Sequence, residues 1–420
     1  MIIELKVKNF RSIRDQQTFS LVASPATELE QNICLSGSDS GLGLVRTAVI
    51  YGANAGGKSN LLSALFFMRM FILSSAKESQ QGEKIRVESF SFDDTSRNEP
   101  SEFEVTFIKN GLRYQYGFVV NEDRIFEEWL FAYPSSRAQQ WFSRVYDKKN
   151  EEYSWKFSKF FKGNKQIIDL TRSDVLFLSN AVKLNNEQLV PIFNWFQKDL
   201  VLIDSSNGGG LGYGKSLDHI KTEDGKKRIL KFMNAADPSI ADVVLDMEKV
   251  TEKNLPRFPS SMPKEVQDFL KKEMMSRDNP KISFLHGDIS LDLGDESDGT
   301  RRLLAFAGRW IDALDNGRVL IVDEIDNSLH PLVVRFLIKL LYDPEVNKKN
   351  AQLIFTTHDT SLLDNEIFRR DQIWFVEKDK SNSTQIYPLL DFSPRKHEAI
   401  GRGYLQGRYG ALPYIGQWRF

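Results

Sequence analysis

Three short segments hold residue types able to manage a polyphosphate and a divalent cation. Gly52-Ala53-Asn54-Ala55-Gly56-Gly57-Lys58-Ser59 fits G-x-x-x-x-G-K-[ST]. In that pattern the glycines let successive backbone N–H groups turn inward on phosphate oxygens. Lys58 then places a point charge at the β- and γ-phosphates, and Ser59 offers a hydroxyl to Mg²⁺. The second segment, VLIVDE from Val319 to Glu324, delivers two carboxylates at the end of an apolar run. Asp323 suits Mg²⁺ held through its water shell, and Glu324 suits a general base that polarises an attacking water. The third is Thr356-Thr357-His358, where a histidine can touch a γ-phosphate and orient that water. The bland readings are a glycine-rich turn, an acid capping the next turn, and a satisfied structural histidine. The strand, turn and helix around the first motif, and the presence of all three together, weigh against them. His219, His286 and His397 have no ligand pattern around them and read as structural.

The elements that must position these residues form an α/β pattern. Val45 to Tyr51 is a short apolar strand, the glycine-rich turn follows, and Leu61 to Leu73 reads as a buried helix. Val319 to Val322 is a continuous apolar run, as a buried parallel strand requires, and Leu353-Ile354-Phe355 is its expected neighbour. A helix at about 331 to 342 connects them, so both acids and His358 emerge at one sheet edge, where open α/β sheets bind ligands. Glu296-Ser297-Asp298-Gly299-Thr300 precedes a helix whose face is Leu303, Ala307, Trp310, Ile311 and Leu314, ended by Asn316-Gly317. Ser297 and Gly299 thus stand at a second helix N-terminus suited to an anion, and Asp326 to Pro331 is a loop leading into the next helix.

Elsewhere, Ile2 to Phe10 alternates as a half-wet strand, 16 to 23 continues that sheet, and 26 to 44 reads as loop. Alternation between 84 and 133, with Asn110-Gly111 as a hairpin turn, gives an antiparallel sheet. The signal from about 160 to 280 is helical and less regular, with the Pro-rich LPRFPSSMP at 255 to 263. The expected organisation is an N-terminal lobe over 1–155, a mainly helical insertion over 156–281, and a C-terminal lobe over 282–420. NGGGLGYG at 207 to 214 lacks a following Lys-Ser or Lys-Thr pair and reads as a flexible connection.

The 420 residues carry 56 Lys plus Arg against 57 Asp plus Glu, so any nucleic-acid contact must come from a local basic patch. Lys226-Lys227-Arg228 and Lys271-Lys272 read as solvated helix faces. GRGYLQGRYGALPYIGQWRF, with few arginines among its aromatics, reads as a docking or packing tail. A single cysteine, Cys34, allows no internal disulfide and fits a reducing cytosol. The start MIIELKVKNF lacks a signal-peptide plan, and the most apolar stretch falls short of the roughly 20 residues a membrane span needs. A cytoplasmic protein without membrane partners is expected.

Six segments in order resemble an ABC-type ATPase head of the branch that includes the SMC, Rad50 and RecF proteins. Asn9-Phe10-Arg11-Ser12 resembles the branch's N-terminal start, YGANAGGKSN its P-loop with the trailing Asn60, and Ser297-Asp298-Gly299-Thr300 a divergent signature. VLIVDE resembles the Walker B motif, Ser328-Leu329-His330 the D-loop, and His358 the switch histidine. The fold class implied is α/β, an ABC-type P-loop NTPase head with an antiparallel β subdomain and a mainly helical insertion. ATP and Mg²⁺ are the cofactors implied. Arg11, Asn54, Ala55, Gly56, Gly57, Lys58, Ser59 and Asn60 would hold the nucleotide, Ser59 and Asp323 the metal, and Lys58, Glu324 and His358 would act in catalysis. Two heads would pair head to tail, with Ser297 and Gly299 of one closing the nucleotide of the other.

ESDGTRRLL, DEIDNSLHP, TTHDTSLLD and GRGYLQGRYGALP resemble most closely the stand-alone AAA-type ATPases of anti-phage systems such as Septu, PARIS and the RloA/RloB-like pairs. This implies an ATP-sandwich homodimer, or a higher oligomer, that controls a separate effector, a nuclease or toxin. The chain departs from the wider branch in two ways: residues 160 to 290 carry no sustained heptads, and no glutamine is identified at a Q-loop position. Phe375-Val376-Glu377-Lys378 resembles the start of a Toprim nuclease, but lacks the glycine after the Glu and leaves only about 40 residues, below the size of a domain. Nuclease activity in this chain is therefore not expected. A DNA-repair ATPase of the RecF or Rad50 kind, and a nucleotide-gated scaffold with little turnover, stand as alternatives.

Overall fold

The computed structural model describes residues 1–413 apart from 38–40, 78–81, 136, 164, 204–211, 250–254, 256–257, 260–261 and 276–277. The chain divides into two compact units, Met1–Gly208 with Ala313–Asn327 and Val334–Phe420, and Gly209–Asp312 with Ser328–Val333.

The first unit is built on two large sheets, beside a small two-stranded one. Its six-stranded sheet runs in the order Leu200–Ile203, Val319–Val322, Gln352–Thr356, Thr47–Gly52, Ile373–Lys378, Thr384–Pro388. The first five strands are parallel and the last is antiparallel. Every residue of Thr47–Gly52, Val319–Val322 and Gln352–Thr356 is buried, which is why these strands read as unbroken apolar runs. Val322 pairs with Phe355 and Thr356 with Ile50, so the glycine-rich loop and the acidic turn leave the sheet side by side, separated by the strand that ends at Thr356.

The second sheet is antiparallel and seven-stranded: Glu152–Phe157, Gln139–Asp147, Ile125–Tyr133, Leu112–Val120, Ser101–Lys109, Ile2–Lys8, Gln17–Ser20. Its alternation sorts one side of each strand into the core. Phe103, Val105 and Phe107 pair across the Asn110-Gly111 turn with Phe118, Tyr116 and Tyr114. The helix Lys58–Ser74 lays Phe67 and Phe71 on these rings, with centroids 4.9 Å (Phe67 to Phe103) and 5.6 Å (Phe71 to Phe118) apart. The sheet therefore serves as the bed of the loop's own helix. Deeper in, Glu128 and Arg144 form a fully buried ion pair at 3.0 Å. Glu128 also accepts from the Tyr116 hydroxyl (2.9 Å) and from the N–H groups of Phe177 (2.7 Å) and Leu178 (3.0 Å), which begin the helix Phe177–Lys183.

The division differs from the expected boundaries at 156 and 281. Leu200–Ile203 is a strand of the parallel sheet, and Phe177, Leu178, Trp195 and Phe196 join the main core. A run as short as LVLI is a strand only by virtue of its neighbours, so periodicity alone could not separate it from the helices around it. The second unit contains the helices Gly214–Ile220, Glu223–Asn234 and Lys264–Met275, and an antiparallel sheet of Asp242–Lys249, Asp278–His286 and Ile289–Asp292. Within 26–44, read as loop, Ile33–Leu35 pairs with Gly43–Val45. Residues 207–211 of the glycine-rich NGGGLGYG stretch lie outside the described residues, as do 256–257 and 260–261 of the Pro-rich stretch and 414–420 of the tail.

The rest of the tail is packed. Tyr404 and Tyr409 are buried against Phe375, with ring centroids 5.4 and 5.7 Å away, and the Ala411 N–H donates to Glu377 at 2.8 Å. Among the described residues no helix is long and apolar enough to cross a membrane.

Candidate functional site

The glycine-rich loop joins the strand Thr47–Gly52 to the helix Lys58–Ser74. Gly57 stands at the helix N-cap with φ 112°, and a Cβ there would lie 2.2 Å from Thr384 Oγ1. Only glycine satisfies both the left-handed backbone and the close approach. An added Cβ at Gly52 would meet the Val376 carbonyl oxygen at 2.2 Å. Behind the loop, the Thr384 hydroxyl donates to the Gly56 carbonyl at 3.1 Å and meets Ser12 Oγ at 2.7 Å. Asn60 Nδ2 donates to the same Ser12 Oγ at 2.6 Å, and the Thr384 N–H donates to the Ser12 carbonyl at 2.7 Å. The loop is thereby braced from the N-terminal segment and from the last strand of the sheet.

No side chain caps the helix, and its first turn holds no acid. Its N-terminal N–H groups and partial positive charge are arranged for an anion. Asn54, Ala55 and Ser59 are exposed, whereas Gly56, Gly57 and Lys58 are buried. Lys58 Nζ donates to the carbonyls of Gly52 (2.8 Å) and Ala53 (3.2 Å). Burial pushes its pKa below the ordinary lysine value, and the carboxylates of Asp323, Glu324 and Asp326 pull the other way. A buried ammonium held on the loop's own carbonyls, within a cradle of close-packed glycines at a helix N-terminus, fits a nucleotide phosphate. The oxygens of Ser59 and Asp323 are the hard donors Mg²⁺ prefers.

The acidic turn follows Val319–Val322. Glu324 has φ 50°, a left-handed conformation for a residue other than glycine. Its N–H donates to Thr356 Oγ1 at 2.7 Å, and the Thr356 hydroxyl donates to Asp323 Oδ1 at 2.5 Å. The next segment is tied to the same edge. Asp326 Oδ2 accepts from the His358 N–H at 3.3 Å, Thr357 Oγ1 from the Asp359 N–H at 3.0 Å, and the Asp359 carbonyl from the Tyr51 hydroxyl at 3.0 Å. Burial raises the Tyr51 phenol well above its ordinary value, with Asp359 and Asp326 adding to the effect, so it stays a neutral donor. The His358 side chain is exposed at this edge.

The structure thus brings Lys58, Asp323, Glu324 and His358 to one edge of one sheet. Arg11 is placed differently: its guanidinium donates to Ser63 Oγ (2.9 Å), one turn beyond Ser59, and pairs with Glu88 (3.1 Å). Asn60 turns its amide to Ser12, behind the loop. Ser297 and Gly299 belong to the second unit. There Ser297 Oγ accepts from the Thr300 N–H at 3.1 Å at the start of the helix Asp298–Asn316, and an added Cβ at Gly299 would lie 3.0 Å from the Ser328 carbonyl oxygen. His286, read as structural, sits between Ser239 Oγ (2.9 Å) and Glu296 Oε1 (2.8 Å). Sequence reasoning passed over Ser12 and Thr384 as parts of the loop, and over the Thr356 hydroxyl. For Thr356 one signal existed, a polar residue closing the apolar run LIF.

Among curated proteins none matches the chain. Two solved structures similar to it are the SmcHead bound to the C-winged helix domain of ScpA (TM-score 0.40, 11% identity, 92% of this chain and 96% of that one) and the Smc head domain with an extended coiled coil bound to the C-terminal domain of ScpA derived from Pyrococcus furiosus (TM-score 0.42, 11% identity, 92% and 95%). The family model described as "AAA domain, putative AbiEii toxin, Type IV TA system" matches residues 48–364. That match covers most of the chain and includes the glycine-rich loop, both acids and His358, and the chain belongs to this family of AAA-type ATPases.

Proposed function

We propose that the chain binds ATP with Mg²⁺ and hydrolyses it, and that ATP joins two copies head to tail in a cytoplasmic assembly controlling a separate effector, a nuclease or toxin, in anti-phage defence. The observation that carries this reading is the placement of buried Lys58 with Asp323, Glu324 and His358 just beyond the ends of three neighbouring strands, at one edge of one sheet. The loop N–H groups and Lys58 hold the β- and γ-phosphates. Ser59 and Asp323 hold Mg²⁺, which when bound neutralises charge on the phosphate oxygens. Glu324 takes a proton from the attacking water, and His358 orients that water toward the γ-phosphate. Ser297 and Gly299 offer the N-terminus of their helix to the γ-phosphate held by the other copy, so that ATP joins the copies and hydrolysis releases them. The effector and defence roles rest on the resemblance of the motifs. The family's description as a type IV toxin–antitoxin system supports a role coupled to a partner.

The test is the mass of the purified chain by light scattering, with and without ATP, using Glu324→Gln to stop turnover. Association that requires ATP supports the reading, and Ser297→Arg should abolish it while leaving nucleotide binding by the single copy intact. Hydrolysis by Glu324→Gln at the wild-type rate would remove Glu324 as the base. An assembly indifferent to ATP would instead favour a scaffold.

A further inference from the structure

Glu324 occupies a backbone region that side chains other than glycine rarely adopt, at φ 50°, so something must hold it there. Thr356 makes two contacts that do so and a third that orients the residue before it. Its hydroxyl accepts the Glu324 N–H at 2.7 Å, its carbonyl accepts the Ile325 N–H at 3.1 Å, and its hydroxyl proton goes to Asp323 Oδ1 at 2.5 Å. A hydroxyl has one proton to give; because this one already accepts from Glu324, its proton is committed to the carboxylate. Thr356 is fully buried, is β-branched and lies in a strand, so its χ1 is restricted and the hydroxyl cannot swing to another partner at little cost. Its Cα partner is Ile50, two residues before the start of the glycine-rich loop. One side chain therefore keys the acidic turn to the strand that feeds the phosphate cradle.

We propose that Thr356 is a positioning residue that aims the Asp323 carboxylate at the metal and holds Glu324 in its left-handed conformation facing the water. Its neighbour Thr357 has a different part, accepting the Asp359 N–H in the next turn. The proposal rests on the reading of Asp323 as the Mg²⁺ ligand and Glu324 as the base, and the experiment separates the two. Thr356→Val keeps the volume and branching and removes the hydroxyl. Thr356→Ala, which places no methyl beside the carboxylate, is measured in parallel in case the valine variant does not fold. Thr356→Ser restores the hydroxyl.

Two readouts apply: the Mg²⁺ concentration at which ADP binding is half strengthened, by titration calorimetry, and the split of kcat from KM for ATP. Loss of an outer-shell partner weakens metal binding or activity by about 10- to 100-fold. The expected result is a shift of that order in the Mg²⁺ midpoint and in kcat, with a smaller change in KM, and recovery of both in Thr356→Ser. Wild-type Mg²⁺ dependence and kcat in whichever hydroxyl-free variant folds would overturn the proposal, as would a serine variant no better than valine. Asp323→Asn and Glu324→Gln are the controls. If neither alters Mg²⁺ dependence or turnover, the underlying assignment of the acids has failed, whatever Thr356 does.

Discussion

Replacing Gly57 by alanine tests how the phosphate loop is held. The new Cβ meets two penalties: a backbone at φ 112°, where side chains are strained, and Thr384, whose Oγ1, Cγ2 and Cβ would lie at 2.2, 2.7 and 3.0 Å. The backbone strain costs about 1–3 kcal/mol. The overlap costs about 1–3 kcal/mol more, so Gly57→Ala should lose about 2–6 kcal/mol of stability. Thr384→Ala removes the two nearest of those atoms and leaves the backbone strain in place. In the Thr384→Ala background the glycine replacement should therefore cost less, with a coupling of about 1–3 kcal/mol. The assay is equilibrium denaturation of the wild type, both single variants and the double variant, with nucleotide affinity measured on each. Strict additivity would refute the claim that Thr384 is packed against the loop at Gly57. A full rescue would refute the claim that the backbone itself is strained.

Glu128→Ala would leave Arg144 buried without its charge partner and should cost about 3–5 kcal/mol in a denaturation experiment, while Glu128→Leu with Arg144→Met removes the unpaired charge but leaves the Tyr116, Phe177 and Leu178 donors without an acceptor, and should recover only part of that loss. A single variant near wild-type stability would mean that the pair is hydrated in solution. The pH dependence has a marker in Glu28. Burial alone would raise its carboxyl pKa, but the hydrogen bonds from the guanidinium and backbone N–H of Arg370, together with that residue's charge, outweigh burial and hold it below the ordinary 4.5. A depressed carboxylate contributes stability above its unfolded pKa and loses it as the pH falls through the lower folded value. The wild type should therefore lose an increment of stability below pH 4.5 that Glu28→Gln does not; parallel acid limbs for the two would contradict this.

The chemistry-bearing residues were legible because their motifs tie side chains to a strand end. Once VLIV, LIF and the strand before Gly52 are buried parallel neighbours, their termini must share an edge, and Lys58, Asp323 and His358 follow. The hairpin at Asn110-Gly111 and the helix stop at Asn316-Gly317 were legible for a similar reason, since each needs particular backbone angles: Asn110, Gly111 and Gly317 all have positive φ. Residues recruited from afar were not legible. Ser12 stood in the recognised Asn9–Ser12 segment but with no part assigned to it, and Thr384 is a small hydroxyl residue that nothing local marks; the importance of both comes from which strand lies beside the loop. Leu200–Ile203 was hidden for the same reason, as a strand only by pairing with Val319–Val322. Arg11 shows the opposite limit: its motif was recognisable, but the partner of its guanidinium, Ser63, depends on how the first strand meets the loop's helix.

The brace between Thr384 and Gly56 also bears on when the loop can mature during synthesis. The two residues are 328 positions apart in the chain. At about 5–20 residues per second on the ribosome, roughly 16–66 s pass between the making of the glycines and the making of the hydroxyl that steadies them. Throughout that interval the nascent chain carries the full glycine-lysine motif but lacks the strand Thr384–Pro388 that backs it. A high-affinity phosphate cradle should therefore be a late product of translation, and a polypeptide arrested before residue 384 should be a poor competitor for nucleotide.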